Sequence, residues 1–532
     1  MKHKLIFLLL SVVSLSAFAQ PSNQDGRKLS MALYAISSLY VDSVNNTKIV
    51  EDAIRGMLDK LDPHSTYTDV EETKELTAPL QGNFDGIGIQ FNMLTDTLYV
   101  IQVIPGGPSE KVGLMAGDRI IMVNDTVISG VDMKTSDIMS RLKGPKGSQV
   151  SVKVMRNNKP ELIEFKIIRD KIPIHSLDAA FMVDKETGYL KLNRFAATTG
   201  DEIKDALATL KKQGMKNLIL DLQGNGGGYL NAAIELADEF LGNNELIVYT
   251  EGREQPREDA NASSKGQFEQ GKLIVLVDEG SASASEILSG AIQDWDRGVI
   301  VGRRTFGKGL VQKPLPLPDG SLIRLTVARY YTPTGRSIQK PYVKGDSEDY
   351  MMDFNERFKH GEMMNQDSIK FADSLRYETL KNKRIVYGGG GIMPDVFIPL
   401  DTTLFTNYHR NLLAQGLINR EAMNVMDRSR NELKAPYKTS EAFAKDFEVN
   451  QAMLDDLLAL AAAEKIEFNQ EQYDKALPLI KLQIKALIAR DLYDMGAYYE
   501  IINEVNDAYL KALQLIKDDK EYNAILNGKK TK

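Results

Sequence analysis

The chain has 532 residues, 43% hydrophobic and 26% charged, with 40 Gly, 18 Pro and no Cys. These proportions exclude a collagen-like, wholly disordered or disulfide-stapled protein, and at about 150 residues per domain the length calls for three or four domains. A formal net charge of −7 without any basic block leaves no electrostatic footprint for nucleic acid.

Residues 1–19 read as an export signal. Lys2 and Lys4 precede an apolar run over residues 5–15, and Ala17-Phe18-Ala19 offers the small-x-small cleavage pattern, with Gln20 as the new terminus. The run falls short of the ~20 residues that a bilayer-spanning helix needs. An exported protein is expected, in a periplasm first, with secretion or membrane association as the other outcomes.

Apolar residues at helical spacing (Leu29, Leu33, Ile36, then Ile54, Met57, Leu58) predict a helical module over residues 26–80, broken at Asp62-Pro63-His64-Ser65. From 84 to 169 short alternating runs are separated by Pro105-Gly106-Gly107-Pro108 and Gly144-Pro145-Lys146-Gly147, the texture of a small β-rich domain. Between 172 and 400 strand-like and amphipathic helical runs alternate, which predicts an α/β core with a partly parallel sheet. A polar, Met-rich stretch, 340–383, reads as an insertion that could be mobile. Residues 401–532 are helical in period throughout. The expected fold is multidomain α+β.

Chemistry concentrates between 277 and 312. An apolar strand runs into Gly280-Ser281-Ala282-Ser283-Ala284-Ser285 and then a helix, so a serine hydroxyl stands at a helix N-terminus, where free N–H groups can hold an oxyanion. Such serines can equally be plain helix caps. Of the five His, none has a companion motif. Lys308 does: it follows a second apolar strand and lies between Gly307 and Gly309, which let the backbone pack closely and draw the amine inward, where burial favours the neutral base. A third strand ends in Asp221-Leu222-Gln223-Gly224-Asn225-Gly226-Gly227-Gly228. It can be a phosphate cradle, a plain turn or a loop lending N–H groups to an oxyanion, and its combination with the serine and lysine favours the last. No metal or cofactor is expected, since His and carboxylates show no ligand spacing.

With Leu61-Asp62-Pro63-His64-Ser65, Gly280 to Glu286, Thr305 to Gln312, Ala328-Arg329-Tyr330-Tyr331-Thr332-Pro333 and Gly391-Ile392-Met393-Pro394-Asp395 in view, the chain closely resembles the carboxyl-terminal processing (tail-specific) serine peptidases, which carry a PDZ domain and a Ser–Lys dyad. The resemblance implies a crotonase-like peptidase core. It also implies Ser283 as nucleophile, rather than Ser281 or Ser285, Lys308 as general base and Gln312 as the residue that orients the lysine. The oxyanion would rest on the N–H groups of Ala284 and Gly227. The family commonly has arginine where this chain has Gln223, and proline where it has Gly226, which leaves the choice among Gly226, Gly227 and Gly228 open.

Gly86-Ile87-Gly88-Ile89 looks like the carboxylate-binding loop of a PDZ domain, and its isoleucines imply substrates with apolar C-termini. Protein or peptide substrates are therefore the expected partners; the N-terminal helices could pair two copies of the chain, and the C-terminal helices could dock an adaptor. Two other readings compete: a catalytically inactive PDZ scaffold that binds C-termini, and a thioester-acting enzyme on a related core.

Overall fold

The computed structural model describes residues 24–94, 96–156, 161–401 and 403–529; the expected export signal lies outside them. Its centre is a six-stranded sheet whose order follows the chain: β1 (Leu177–Met182), β2 (Thr187–Leu192), β3 (Asn217–Asp221), β4 (Leu273–Val277), β5 (Val299–Gly302) and β6 (Val396–Phe397). β1 runs antiparallel to β2, and every later pair is parallel, with Leu220 beside Val275 and Val275 beside Ile300. All five residues of β4 are buried. Unbroken apolar strands need cover on both faces. One face, through Leu190, Leu220, Val275 and Ile300, packs on helices Thr199–Lys212, Leu230–Asp238 and Ala284–Asp294. The other, through Tyr189, Ile219, Ile274 and Val301, is covered by helices Asp507–Lys517 and Asp519–Leu526. Two helices of the stretch expected to form a separate C-terminal domain thus complete the core.

A second sheet is built on strand Leu322–Tyr331, which pairs with Leu310–Pro316, Leu246–Glu251 and Thr66–Thr68. The last of these is a strand within the otherwise helical N-terminal module, and it carries residues 62–65 to the core. Helix Val70–Gln81 follows, started by a capping box of Asp69 and Glu72. Helix Gln24–Leu39 buries no residue; Leu29, Met31, Tyr34 and Leu39 face outward.

The β-rich domain is a sheet of Ile89–Met93, Leu98–Val103, Arg119–Val123, Gln149–Met155 and Ile163–Ile168 with helix Thr135–Leu142, closed over Leu98, Val100, Ile120, Ile138 and Val152. The remaining helices, from Asn407–Ala414 to Met495–Ile502, form a bundle around Leu412, Phe443, Leu457, Ile480 and Ile484. Its helix Leu417–Lys434 also holds the β-rich domain: Met423 packs with Leu94, Tyr99 and Ile101, Asp427 pairs with Arg119, and Arg430 donates to the Ile101 carbonyl at 3.1 Å. Among the described residues no helix is long and apolar enough to cross a membrane.

The insertion is folded. Helix Ser347–Lys359 turns Tyr350 and Arg357 inward and its remaining, largely polar and Met-rich surface outward, which is why its composition resembles that of a loose segment.

Candidate active site

The parallel strands β3, β4 and β5 all end at one edge, the usual place for chemistry in an open α/β sheet. After β4, Asp278 Oδ1 accepts the N–H groups of Gly224 (2.8 Å) and Gly280 (3.0 Å), which draws the serine turn against the glycine loop. Ser281 and Ser285, both buried, donate to the carbonyls of Leu222 and Asn225, each at 2.8 Å. Their hydroxyls are thereby used as struts. Ser283, by contrast, lines a cavity of about 410 Å³ that also contains Gly226, Gly227, Gly228, Ala284, Lys308, Gln312, Arg324 and Tyr330. Its backbone sits at φ 57°, ψ −111°, a strained turn of the kind that lifts a nucleophile off the end of a strand, at a cost of about 1–3 kcal/mol.

Lys308 enters the same cavity from the extended segment after β5. A Cβ on Gly307 would lie 3.0 Å from Lys340 Cβ and 3.1 Å from Gly391 N, and one on Gly309 would lie 2.9 Å from Gln339 N, so only glycine admits the neighbouring backbone on both sides. Burial is the main cause that lowers the lysine pKa to about 8; the Arg324 charge acts in the same direction, while Glu286 and Asp62 oppose it.

Glu286, to which the sequence motif assigns no role, joins the two. One oxygen accepts the Thr305 hydroxyl (2.6 Å) and the Gly307 N–H (2.7 Å); the other accepts the N–H groups of Ser283 (2.8 Å) and Lys308 (2.9 Å). On the opposite side the Tyr330 hydroxyl lies between the carbonyls of Ser283 (3.1 Å) and Lys308. The backbones of both residues are therefore clamped at N–H and at C=O by the same two side chains. Burial raises the Glu286 pKa to about 7, although its four donors all favour the carboxylate. The spacing Ser283-x-x-Glu286 is a capping-box pattern and was the available signal.

The Gly227 N–H, the expected oxyanion donor, is bonded to Asn225 Oδ1 at 2.9 Å. The N–H groups of Gly226 and Gly228 have no acceptor among the described residues. What Gly227 contributes is proximity: at φ 98°, a Cβ there would lie 2.8 Å from Ser283 Cβ and 3.0 Å from Ala284 N. Gln223 is held from the C-terminal helices, its Oε1 accepting Asn506 at 2.8 Å, while Lys191 Nζ binds its carbonyl (2.6 Å) and Asp221 (3.0 Å). Gln312 reaches the cavity, but its amide donates to the Leu310 carbonyl (3.1 Å) and Thr326 Oγ1 (3.3 Å) rather than touching Lys308. Thr326 donates to Asp62 (2.9 Å), which also accepts Ser65 Oγ (2.6 Å), so the motif at 62–65 braces Gln312 from below. His64 is the one imidazole nearby. Burial and the Lys308 charge push it down to about 4, but its Nε2 faces the Tyr350 hydroxyl at 3.0 Å and it does not line the cavity.

In the β-rich domain, Gly86, Ile87, Gly88 and Ile89 line a second, apolar hollow with Phe84, Phe91, Met139 and Leu142, and Lys143 at its rim. Strand Ile89–Met93 pairs on one side only, which leaves an edge for an added strand. Ile87 also sits in the domain core, 3% exposed.

Comparison with known proteins defines the class. Residues 186–349 match peptidase family S41, 86–167 the PDZ domain, 12–73 the N-terminal domain of the activating protease CtpB, and 408–494 a family of unknown function. The chain is 35% identical over 344 residues to a carboxy-terminal-processing protease of Bartonella bacilliformis, covering 63% of this chain and 78% of that one. It is 33% identical over 366 residues to the carboxy-terminal processing protease CtpA of Bacillus subtilis, covering 67% and 78%. Among solved structures it is similar to the photosystem II D1 C-terminal processing protease, with 31% identity, a TM-score of 0.33, and 62% and 92% of the two chains covered. The molecule is a serine-type peptidase with a PDZ domain. It belongs to the carboxy-terminal processing proteases of family S41.

Proposed function

We propose that this peptidase cuts protein substrates by a Ser283–Lys308 dyad and selects them by an apolar C-terminus held in its PDZ domain. Neutral Lys308 takes the Ser283 proton as Oγ attacks the scissile carbonyl; the resulting ammonium returns that proton to the leaving amine, and water then hydrolyses the acyl-enzyme. The oxyanion rests on the N–H of Ala284, the first of its helix, with the unspent N–H of Gly228 as the second donor. Gln312 acts on Lys308 through the Thr326 and Asp62 network or after a side-chain turn when substrate enters. Leu76, Leu80, Tyr229 and Ile287 make the cavity wall apolar and suit an apolar residue before the cleaved bond. The observation that carries this reading is the double clamp of Glu286 and Tyr330 on both dyad backbones within one cavity.

Digestion of an apolar-tailed protein tests it. Ser283→Ala and Lys308→Ala are expected to stop cleavage while PDZ binding of the tail, followed by fluorescence polarisation, persists; binding without cleavage by the wild type would instead favour the inactive scaffold. Amidating the peptide's C-terminus should weaken capture at least about tenfold, the loss expected when buried donors lose a charged acceptor. Gly227→Ala is expected to shift the Ser283 elbow and lower the single-turnover acylation rate by about 10², the scale of a ~1 Å misplacement. Export after cleavage before Gln20 and pairing of two copies through the outward Leu29, Met31 and Tyr34 complete the reading; N-terminal sequencing of the mature protein and light scattering check them.

A further inference from the structure

The dyad reading leaves the insertion 340–383 without a role, yet its buried side chains converge on the segment that carries Lys308. Arg357, 4% exposed, donates to the carbonyl oxygens of Arg304 (2.6 Å) and Thr305 (3.2 Å). Glu362 steadies both guanidinium groups, pairing with Arg304 at 2.5 Å and standing 3.7 Å from Arg357. Tyr350 meets the rings of His64 and Phe306 edge-on, with centroids 5.1 and 5.8 Å apart, and its hydroxyl lies 3.0 Å from His64 Nε2. The buried Lys340 ammonium fills the space between Phe306 and Tyr350, 4.0 Å from each ring centroid, and pairs with Asp353 at 3.1 Å. Residues 304–308 are thus gripped from two sides. Glu286, from the nucleophile's helix, takes the Thr305 hydroxyl and the N–H groups of Gly307 and Lys308, while the insertion takes the preceding two carbonyls and packs on Phe306.

We propose that the insertion helix is a positioning element for the general base, with Arg357 and Tyr350 fixing the path of residues 304–308 so that the Lys308 amine stays largely desolvated in the cavity it shares with Ser283. The inference rests on Lys308 being the base. Neither residue touches the reacting atoms: Arg357 acts through two backbone carbonyls, and Tyr350 through Phe306 and His64. A planar guanidinium can satisfy both carbonyls at once, which an ammonium on a flexible stem cannot reproduce. A rigid track matters because the amine faces charges of both signs, Glu286 from the nucleophile's helix, Arg324 from strand Leu322–Tyr331 and Asp62 from the N-terminal module, with the neutral His64 alongside. Small displacements would expose the amine to more water and favour the charged form.

The test is the pH dependence of kcat/KM for one peptide, compared among wild type, Tyr350→Phe, Arg357→Lys and Arg357→Met. The acid limb of the variants is expected to move up by about half to one unit, so that activity falls about three- to tenfold at neutral pH and recovers above pH ~9.5, with KM and PDZ tail binding unchanged. If Arg357→Met fails to fold, Tyr350→Phe and Arg357→Lys decide. Variant profiles that superimpose on the wild type, or that fall by one factor at every pH, overturn the positioning role and leave the dyad standing. A wild-type profile without a limb near pH 8 overturns both.

Discussion

Glu286→Ala is expected to abolish peptide hydrolysis and to lower the unfolding free energy by about 4 kcal/mol or more. The substitution strands four buried donors, the N–H groups of Ser283, Gly307 and Lys308 and the Thr305 hydroxyl, each costing about 1–3 kcal/mol when unpaired. Release from burying a carboxylate offsets only part of this, and typical domains hold just 5–15 kcal/mol in total. Function should be lost beyond what stability explains, because the same carboxylate holds the backbones of Ser283 and Lys308 together. Glu286→Gln makes the distinction: of similar shape, it still accepts at one oxygen but turns an NH₂ toward two donors, so a folded protein with kcat/KM reduced at least about 10²-fold is expected. Urea unfolding alongside peptide hydrolysis measures both quantities. Wild-type stability in Glu286→Ala would mean that the four bonds do not hold the site.

Ending the chain after residue 506 is expected to leave no soluble, folded peptidase, although every dyad residue is retained. The lost helices cover Tyr189, Ile219, Ile274, Leu276, Val299 and Val301 on the second face of the parallel sheet. Leu515, Ile516 and Ile525 alone bury about 5–9 kcal/mol at about 1.5–3 kcal/mol each. Tyr522 adds a hydroxyl bonded to both the N–H and the C=O of Leu273, at 3.1 Å each. A milder probe, Ile516→Ala, should cost about 2–5 kcal/mol in chemical denaturation. A truncated chain that melts cooperatively at the wild-type temperature would show the sheet to be closed without them.

Much of this organisation was legible in the residues, and the failures have physical causes. Ser283 and Lys308 stood out because each follows an apolar strand and is surrounded by residues too small to serve packing. The seemingly separate C-terminal helices could have been assigned to the core, since Leu273-Ile274-Val275-Leu276-Val277 is apolar on both faces and such a strand demands two layers of cover. The role of Glu286 is not legible because an acidic residue in the first turn of a helix usually faces solvent near the dipole. The Gly227 N–H meets the Asn225 side chain because its direction depends on a left-handed backbone and on where that side chain falls, neither of which composition encodes. The insertion looked loose because only two residues of its helix point inward and both are amphipathic.

The pH dependence of Ser283 acylation in the wild-type enzyme, followed with a chromogenic peptide or an active-site phosphonate, tests the dyad most directly. A base whose pKa is lowered to about 8 is neutral above that value and charged below it. The rate is therefore expected to rise about tenfold per pH unit up to roughly pH 8 and then level off, with the limb absent from the residual rate of Lys308→Ala. A rate that has already levelled off at pH 7, or one that survives the loss of the lysine amine, would contradict the assignment of Lys308 as the base.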